Sequence, residues 1–380
     1  MSPGEVLTLR PINEADLAEA VRSANAPLQI VGGGTRALGA ISGDRLETSG
    51  LSGVTLYEPG ALTLVAQAGT PLAEVEALLA TKGQRLPFEV PDMRGLLSRA
   101  GQSTLGGVVA ANASGPRRVQ VGACRDSLIG VRFVDGSGTV IKNGGRVMKN
   151  VTGYDLVKLM AGSHGTLGVL TEVSFKVLPI PEVADSLVIY GLDAQAAVSA
   201  MSSALGSPFE VSGAAHVAQS AEGMAKTYLR IEGFAASVAY RVERLKSLLA
   251  GLGEIALVTD RVQVDHEWQG LRDVELFHGT AEDVWRVSVR PSDAPALIAR
   301  LPADARATLD WGGGLIWAAV APGIDLRAHL APFAGHATRV RGQPQDGVAT
   351  FQPEASTLAA LAKGLRTKFD PRGILNHGLM

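Results

Sequence analysis

The sequence predicts an α+β protein in two unequal parts, and three observations carry that prediction. Up to residue 179, strand and helix patterns follow one another without regular alternation. Two glycine-rich stretches interrupt them, around Gly32–Gly39 and from Ser103 to Gly168. From residue 180 a different order sets in, strand–helix–strand–strand–helix–strand, and it recurs before residue 345. The expected divisions are therefore 1–179, 180–345 and a C-terminal helix with tail, 346–380.

In the first part, Asn13 is placed to cap a helix running to about Asn25, with Asp16 in its first turn and Leu17 and Val21 on one face. Leu28 to Val31 reads as a strand that empties into Gly32-Gly-Gly-Thr-Arg-Ala-Leu-Gly39. Loops are expected from Gly39 to Asp44 and from Thr48 to Gly53. Residues 62–68 read as a strand. Thr70-Pro71 then opens a helix with Leu72, Val75, Leu78 and Leu79 on one face, and Gly83 ends it. Residues 128–134 and 139–142 pair as strands across Asp135-Gly-Ser-Gly138. Thr152 or Asp155 starts a helix through Met160, Gly162 closes it, and a strand covers 169–178. Pro179-Ile-Pro181 breaks that strand and marks the boundary.

In the second part the first pass reads as strand 186–192, helix 193–205, strands 209–216 and 226–233, helix 236–250 and strand 254–260. A less regular linker, 261–281, precedes the second: strand 284–290, helix 292–300, strands 306–311 and 314–320, helix 324–332 and strand 337–341. Two such units can share one antiparallel sheet, with helices on one face and the other free to cover a ligand. A last helix is expected from Glu354 to Thr367 or Lys368.

A net charge of −2 over 380 residues gives no global field for nucleic acid or anionic membrane, and the longest basic cluster is Arg117-Arg118. The single cysteine, Cys124, excludes an internal disulfide and an iron–sulfur cluster and fits a reducing compartment, where it reads as a small buried residue. No run reaches the ~18 apolar residues of a membrane span. The Met-Ser-Pro-Gly-Glu start lacks the basic and apolar regions of a signal peptide, so a cytoplasmic location is expected. The seven histidines, at 164, 216, 266, 278, 329, 336 and 377, show no pair at metal-ligand spacing, and no Gly-x-Ser-x-Gly is present.

Glycine density points to a flat or anionic ligand laid along main chain, since glycine admits close approach and φ > 0. The same glycines are also consistent with turns in a crowded β-rich domain. Gly32-x-Gly34-x-x-Ala37 matches the dinucleotide fingerprint in form, but that motif requires a helix directly afterwards and none is legible. A loop-type phosphate nest is expected instead. Arg286, Arg290, Asp310 and Trp311 lie on cap strands, where they face either the ligand or solvent.

Together these stretches resemble the FAD-binding proteins of the vanillyl-alcohol-oxidase, or PCMH, type, and among them the FAD-binding subunits of bacterial glycolate oxidases. The likeness rests on Ser103-Thr-Leu-Gly-Gly107, Asn112-Ala-Ser-Gly115, Lys149-Asn-Val-Thr-Gly-Tyr-Asp155, Gly165-Thr-Leu-Gly-Val169, Trp311-Gly-Gly-Gly-Leu-Ile-Trp317 and the terminal Phe369-Asp-Pro and Ile374-Leu-Asn376. It implies a PCMH-type domain of two α+β subdomains clasping FAD beneath an antiparallel cap. Carried over by position, Gly32, Gly33, Gly34, Thr35, Arg36 and Ala37 cradle the pyrophosphate. Ser103, Thr104, Gly106, Gly107, Asn112, Ser114 and Gly115 line the flavin. Gly122, Arg125 and Asp126 sit near ribose and phosphates, Gly168 and Val169 offer backbone to the adenine, and Asn376 reaches in from the tail.

The loop holds Thr35-Arg36 where covalent relatives carry a histidine, so non-covalent FAD is expected. His377 stands where the family usually has proline, and no cap cluster matches the metal site of the sister catalytic subunit. The resemblance implies a subunit of a heteromeric glycolate or 2-hydroxy-acid oxidase, partnered by a catalytic flavin (D) subunit and an iron–sulfur (F) subunit and reaching a membrane only through them. A self-sufficient flavoenzyme acting on another small alcohol or hydroxy acid, and a non-redox nucleotide scaffold, stay open beside it.

Overall fold

The computed structural model describes residues 6–39, 41–145, 153–220, 223–343 and 347–379. Lys149 to Thr152 of the motif above, and the expected boundary at 345 and 346, lie outside the described residues.

Asn13 starts the first helix, Glu14–Ser23, by accepting the Asp16 N–H at 2.8 Å, and Leu17 and Val21 are fully buried beneath it. Between the two expected loops, and taking in Asp44 from the first, lies an unforeseen strand, Asp44–Glu47, which sits between Thr8–Leu9 and Leu28–Val31 in a parallel three-stranded sheet. Only Leu46 of that strand is buried, which left too little alternation to detect. A second sheet orders five antiparallel strands: Val54–Glu58, Thr63–Gln67, Val169–Lys176, Leu128–Val134 and Val140–Gly144. Asp135 fixes the hairpin between the last two by accepting the N–H groups of Ser137 and Thr139, each at 2.9 Å. Thr70 does not cap its helix. Pro71 holds the cap position of Leu72–Ala80, while the Thr70 hydroxyl donates to the Gln67 carbonyl at 2.7 Å and accepts the Gly53 N–H at 2.9 Å. Turn-residue density also concealed three short helices, Leu105–Ala110, Arg118–Val121 and Cys124–Ser127.

The cap is one eight-stranded antiparallel sheet. Its order is Ile255–Val258, Val183–Tyr190, Lys226–Gly233, Val211–Val217, Arg306–Asp310, Leu315–Val320, Asp283–Val289 and Gly335–Arg341. Each half follows strand–helix–strand–strand–helix–strand, and the halves join where His216 and Val217 pair with Leu309 and Thr308. Leu187, Ile189, Leu229, Ile231, Trp285 and Val287 point to the outer face, into a core shared with helices Ala194–Leu205, Ala235–Leu248, Ala294–Ile298 and Leu326–Leu330.

The opposite face is not wholly free, and the linker is the reason. Residues expected to be irregular form a helix, Arg261–Asp273, capped by Asp260, which accepts the Gln263 N–H at 2.8 Å. Val264, Trp268 and Leu271 make its apolar stripe, packed on Ala184, Val188, Ala215 and Tyr228. The first half of the sheet is therefore closed on both sides. The second half keeps part of its inner face open.

Ion pairs hold the cap down. Glu89 accepts from Arg230 Nη1 at 2.8 Å and from Arg117 N at 2.7 Å, while Glu232 accepts from Arg117 Nη2 and Arg85 Nη1, each at 2.9 Å. Burial pushes the Glu89 carboxyl up, but Arg230 and Arg117 outweigh it and hold the group down at about 2. The chain then returns to the first domain. The Leu28 N–H donates to Ile374 O at 2.7 Å and the Asn376 N–H to Leu28 O at 3.0 Å, after a helix, Ser356–Phe369, with no buried residue.

Candidate functional site: a cleft between the glycine loop and the cap

Strand Leu28–Val31 delivers the loop Gly32–Leu38 to the floor of a cleft, and no helix follows the glycines. The loop lies directly on the segment that precedes the Leu105–Ala110 helix. A Cβ on Gly33 would fall 1.5 Å from the Gln102 carbonyl oxygen, and one on Gly32 would fall 2.4 Å from Thr104 Oγ1. Gly34, at φ +71°, has open space around it instead. Close backbone approach demands glycine at 33; a left-handed turn demands it at 34.

Three cavities run together here. One of about 110 Å³ is lined by Gly32 to Leu38, Thr104, Gly107 and Asn376. A second, about 80 Å³, continues past Gly106, Ser163, Gly165 and Gly168. The third, about 410 Å³, opens beneath the uncovered half of the cap, among Asn112, Ser114, Arg118, Arg286, Trp311, Trp317 and His336. His164, at φ +50°, lines all three, its ring 5.3 Å from that of Phe351. Arg36 joins the first to the third. Its Nη2 donates to Ser103 Oγ at 2.6 Å, its Nε has no partner, and burial lowers the guanidinium to about 10.

The expected site residues divide accordingly. Gly32 to Ala37, Thr104, Gly106, Gly107, Asn112, Ser114, Gly168 and Asn376 line the cleft. Ser103 lines a separate cavity behind Arg36. Gly115 accepts the Trp311 Nε1–H at 3.1 Å and lines none of the three cavities. Gly122, Arg125 and Asp126 also stand outside: Asp126 accepts the Ala123 N–H at 2.8 Å, and the Arg125 N–H donates to Asn112 Oδ1 at 3.0 Å. Val169 is fully buried in the core. Asn376 has both ends of its amide engaged, accepting Ile30 N–H and donating to His164 O, each at 2.7 Å, so it ties the two glycine loops together. Cys124 is buried and its thiol is pushed well up by burial.

Sequence reasoning passed over His164, Arg118, Trp317, His336, Thr338 and Phe351 as wall residues. Period-two alternation puts Arg286 and Ser288 on one face of Asp283–Val289, and His336 and Thr338 on one face of Gly335–Arg341, a signal that was available; pairing of the two strands brings them together. Of the earlier cap candidates, Arg290 is exposed and paired with Asp293 at 2.9 Å. Asp310 is buried, its carboxyl raised by burial to about 7.

Among the described residues no carboxylate lines any of the three cavities, and the glycine loop, Arg36, Arg118 and Arg286 all face them. Such a cleft suits a long ligand with a dianionic middle and a flat end. Among the described residues no group of three potential metal ligands occurs, and no helix is long and apolar enough to cross a membrane.

A cleft so lined suits a nucleotide-binding flavoprotein, and the comparisons point to that class of protein. Residues 7–144 match the FAD binding domain family FAD_binding_4. The chain is 36% identical to the glycolate oxidase subunit GlcE of Escherichia coli K12, over 93% of this chain and 92% of that one. It is 35% identical to the glycolate oxidase subunit GlcD of Bacillus subtilis 168, over 33% of this chain and 26% of that one. A solved alkyldihydroxyacetonephosphate synthase superposes with a TM-score of 0.72 at 16% identity, covering 98% of this chain and 77% of the synthase, which establishes the fold alone. The chain belongs to the PCMH-type family of FAD-linked oxidoreductases, and its cofactor is FAD.

Proposed function

We propose that the chain is the flavin-binding subunit of a heteromeric glycolate (2-hydroxy-acid) oxidase or dehydrogenase, working with a catalytic flavin subunit and an iron–sulfur subunit. The observation that carries this reading is the near end-to-end identity with a glycolate oxidase subunit. In this reading residues 1–179 hold FAD non-covalently, 180–345 cover it, and 346–380 return to the first domain. Gly32 to Ala37 take the pyrophosphate with main-chain N–H groups, Asn112 and Ser114 stand at the flavin end, and Gly168 stands at the adenine end. Bound FAD supplies the electron-pair acceptor, while the protein positions it and excludes water. The exposed Leu358, Leu361 and Leu365 on the C-terminal helix support a partnered chain.

A self-sufficient oxidoreductase is the second reading, favoured by the cationic cavity beneath the cap. The two separate on anaerobic addition of glycolate to the purified chain, alone and co-expressed with the two partner subunits. Loss of flavin absorbance only in the assembled complex supports the subunit reading. Full bleaching and robust dye reduction by the single chain overturn it.

A further inference from the structure

Arg286 is a half-buried cation that no carboxylate bonds among the described residues. Among the described residues its guanidinium makes no hydrogen bond and no ion pair, and it lies over the Trp311 ring, 5.1 Å from the centroid. Arg118 lies over the same ring at 4.7 Å, and among the described residues its guanidinium bonds one partner, the Ser114 hydroxyl at 2.9 Å. The carboxylate that acts on it through space, Asp310, accepts the Trp311 N–H at 2.7 Å and does not bond Arg286. Burying a charge is costly unless something compensates it, and two like charges on one ring add repulsion. The neighbouring strand Gly335–Arg341 carries neutral hydrogen-bonding groups: Thr338 pairs in register with Arg286, and His336 with Ser288. Burial lowers the basicity of His336, with Arg286 adding to the effect, so its imidazole is neutral at neutral pH and able to accept a hydrogen bond.

From this geometry we propose that the cap carries its own subsite for a small 2-hydroxy monocarboxylate, whose carboxylate lies on Arg286 with Arg118 beside it and whose hydroxyl meets Ser288, Thr338 and His336. A guanidinium fork matches a carboxylate bidentately, and the missing counter-charge is then supplied by the ligand. Trp311 and Trp317 wall the same cavity. The proposal rests on the flavin-subunit reading for the choice of acid, but it makes a claim about this chain alone.

The test is equilibrium binding of glycolate to the FAD-loaded chain, by calorimetry and by perturbation of the flavin spectrum, with ethylene glycol as the analogue lacking the carboxylate. Glycolate should bind and ethylene glycol should not. Arg286→Gln should weaken glycolate binding by about 100-fold while retaining FAD, and Arg286→Lys should recover part of the loss. Unchanged binding in Arg286→Gln, no glycolate binding by the parent chain, or loss of FAD in place of glycolate affinity would each overturn the proposal. Failure of the subunit reading shows elsewhere, as a flavin that stays oxidised under glycolate in the assembled complex.

Discussion

Arg230 and Arg286 sit on the same face of one sheet, in its two halves, each over a tryptophan ring. Arg230 has two carboxylates around it, with Glu89 at 2.8 Å and Glu232 at 3.5 Å, and Trp268 is brought over it by the linker helix. Arg286 forms no ion pair among the described residues and faces the large cavity. The same unit has thus been closed in one copy and left open in the other. A compensated buried charge fastens the cap to the domain below; an uncompensated one is held ready for a ligand.

Breaking the floor of the cleft should have the largest effect. Gly33→Val drives a Cβ into the Gln102 carbonyl, so the loop must move and FAD retention should be lost, while far-ultraviolet circular dichroism still reports a folded cap. Stoichiometric FAD in this variant would contradict the assignment of the loop. Next comes the closed half of the sheet. Arg230→Ala leaves Glu89 and Glu232 short of a partner in the interior and should destabilise by about 3–5 kcal/mol in denaturant titration. A loss under about 1 kcal/mol would show that the pair does not fasten the cap.

The acid limb sharpens the same point. The Glu89 carboxyl is held down at about 2, below its ordinary 4.5, so its contribution is fully present above pH 4.5 and is lost as pH falls towards 2. The loss should amount to roughly 3 kcal/mol across that window, read as a falling unfolding midpoint. Glu89→Gln, less stable at neutral pH, should show a flatter limb; an equally steep limb would place the effect elsewhere. Asn376→Ala should be smaller, about 2 kcal/mol, because it orphans the Ile30 N–H and the His164 carbonyl. It should also weaken FAD, and an unchanged FAD affinity would show that the tie does not shape the cleft.

The comparison also shows what was legible in the chain. Elements with local signals stood out: Asn13 bonds the backbone group its expected cap position called for, and the hairpin turns at Asp135 as its turn residues implied. The strand Lys226–Gly233 has its expected bounds, because apolar alternation and a glycine mark both its faces and its end. The linker helix was missed although Asp260, Val264, Trp268 and Leu271 carry a cap and a helical stripe, since the surrounding charges masked the period. In the cleft, glycines announced the floor because backbone approach constrains residue type directly. The roof was harder to read. Arg286, Trp317 and His336 meet only through strand pairing across distant segments, and pairing is not written in local sequence.

The most direct test of the central claim, that this cleft holds FAD without a covalent bond, is acid precipitation of the purified protein followed by flavin measurement in pellet and supernatant. The account predicts stoichiometric FAD in the supernatant and a colourless pellet. A protein purified without flavin under conditions that preserve its fold, or yellow colour remaining with the precipitated chain, would contradict it.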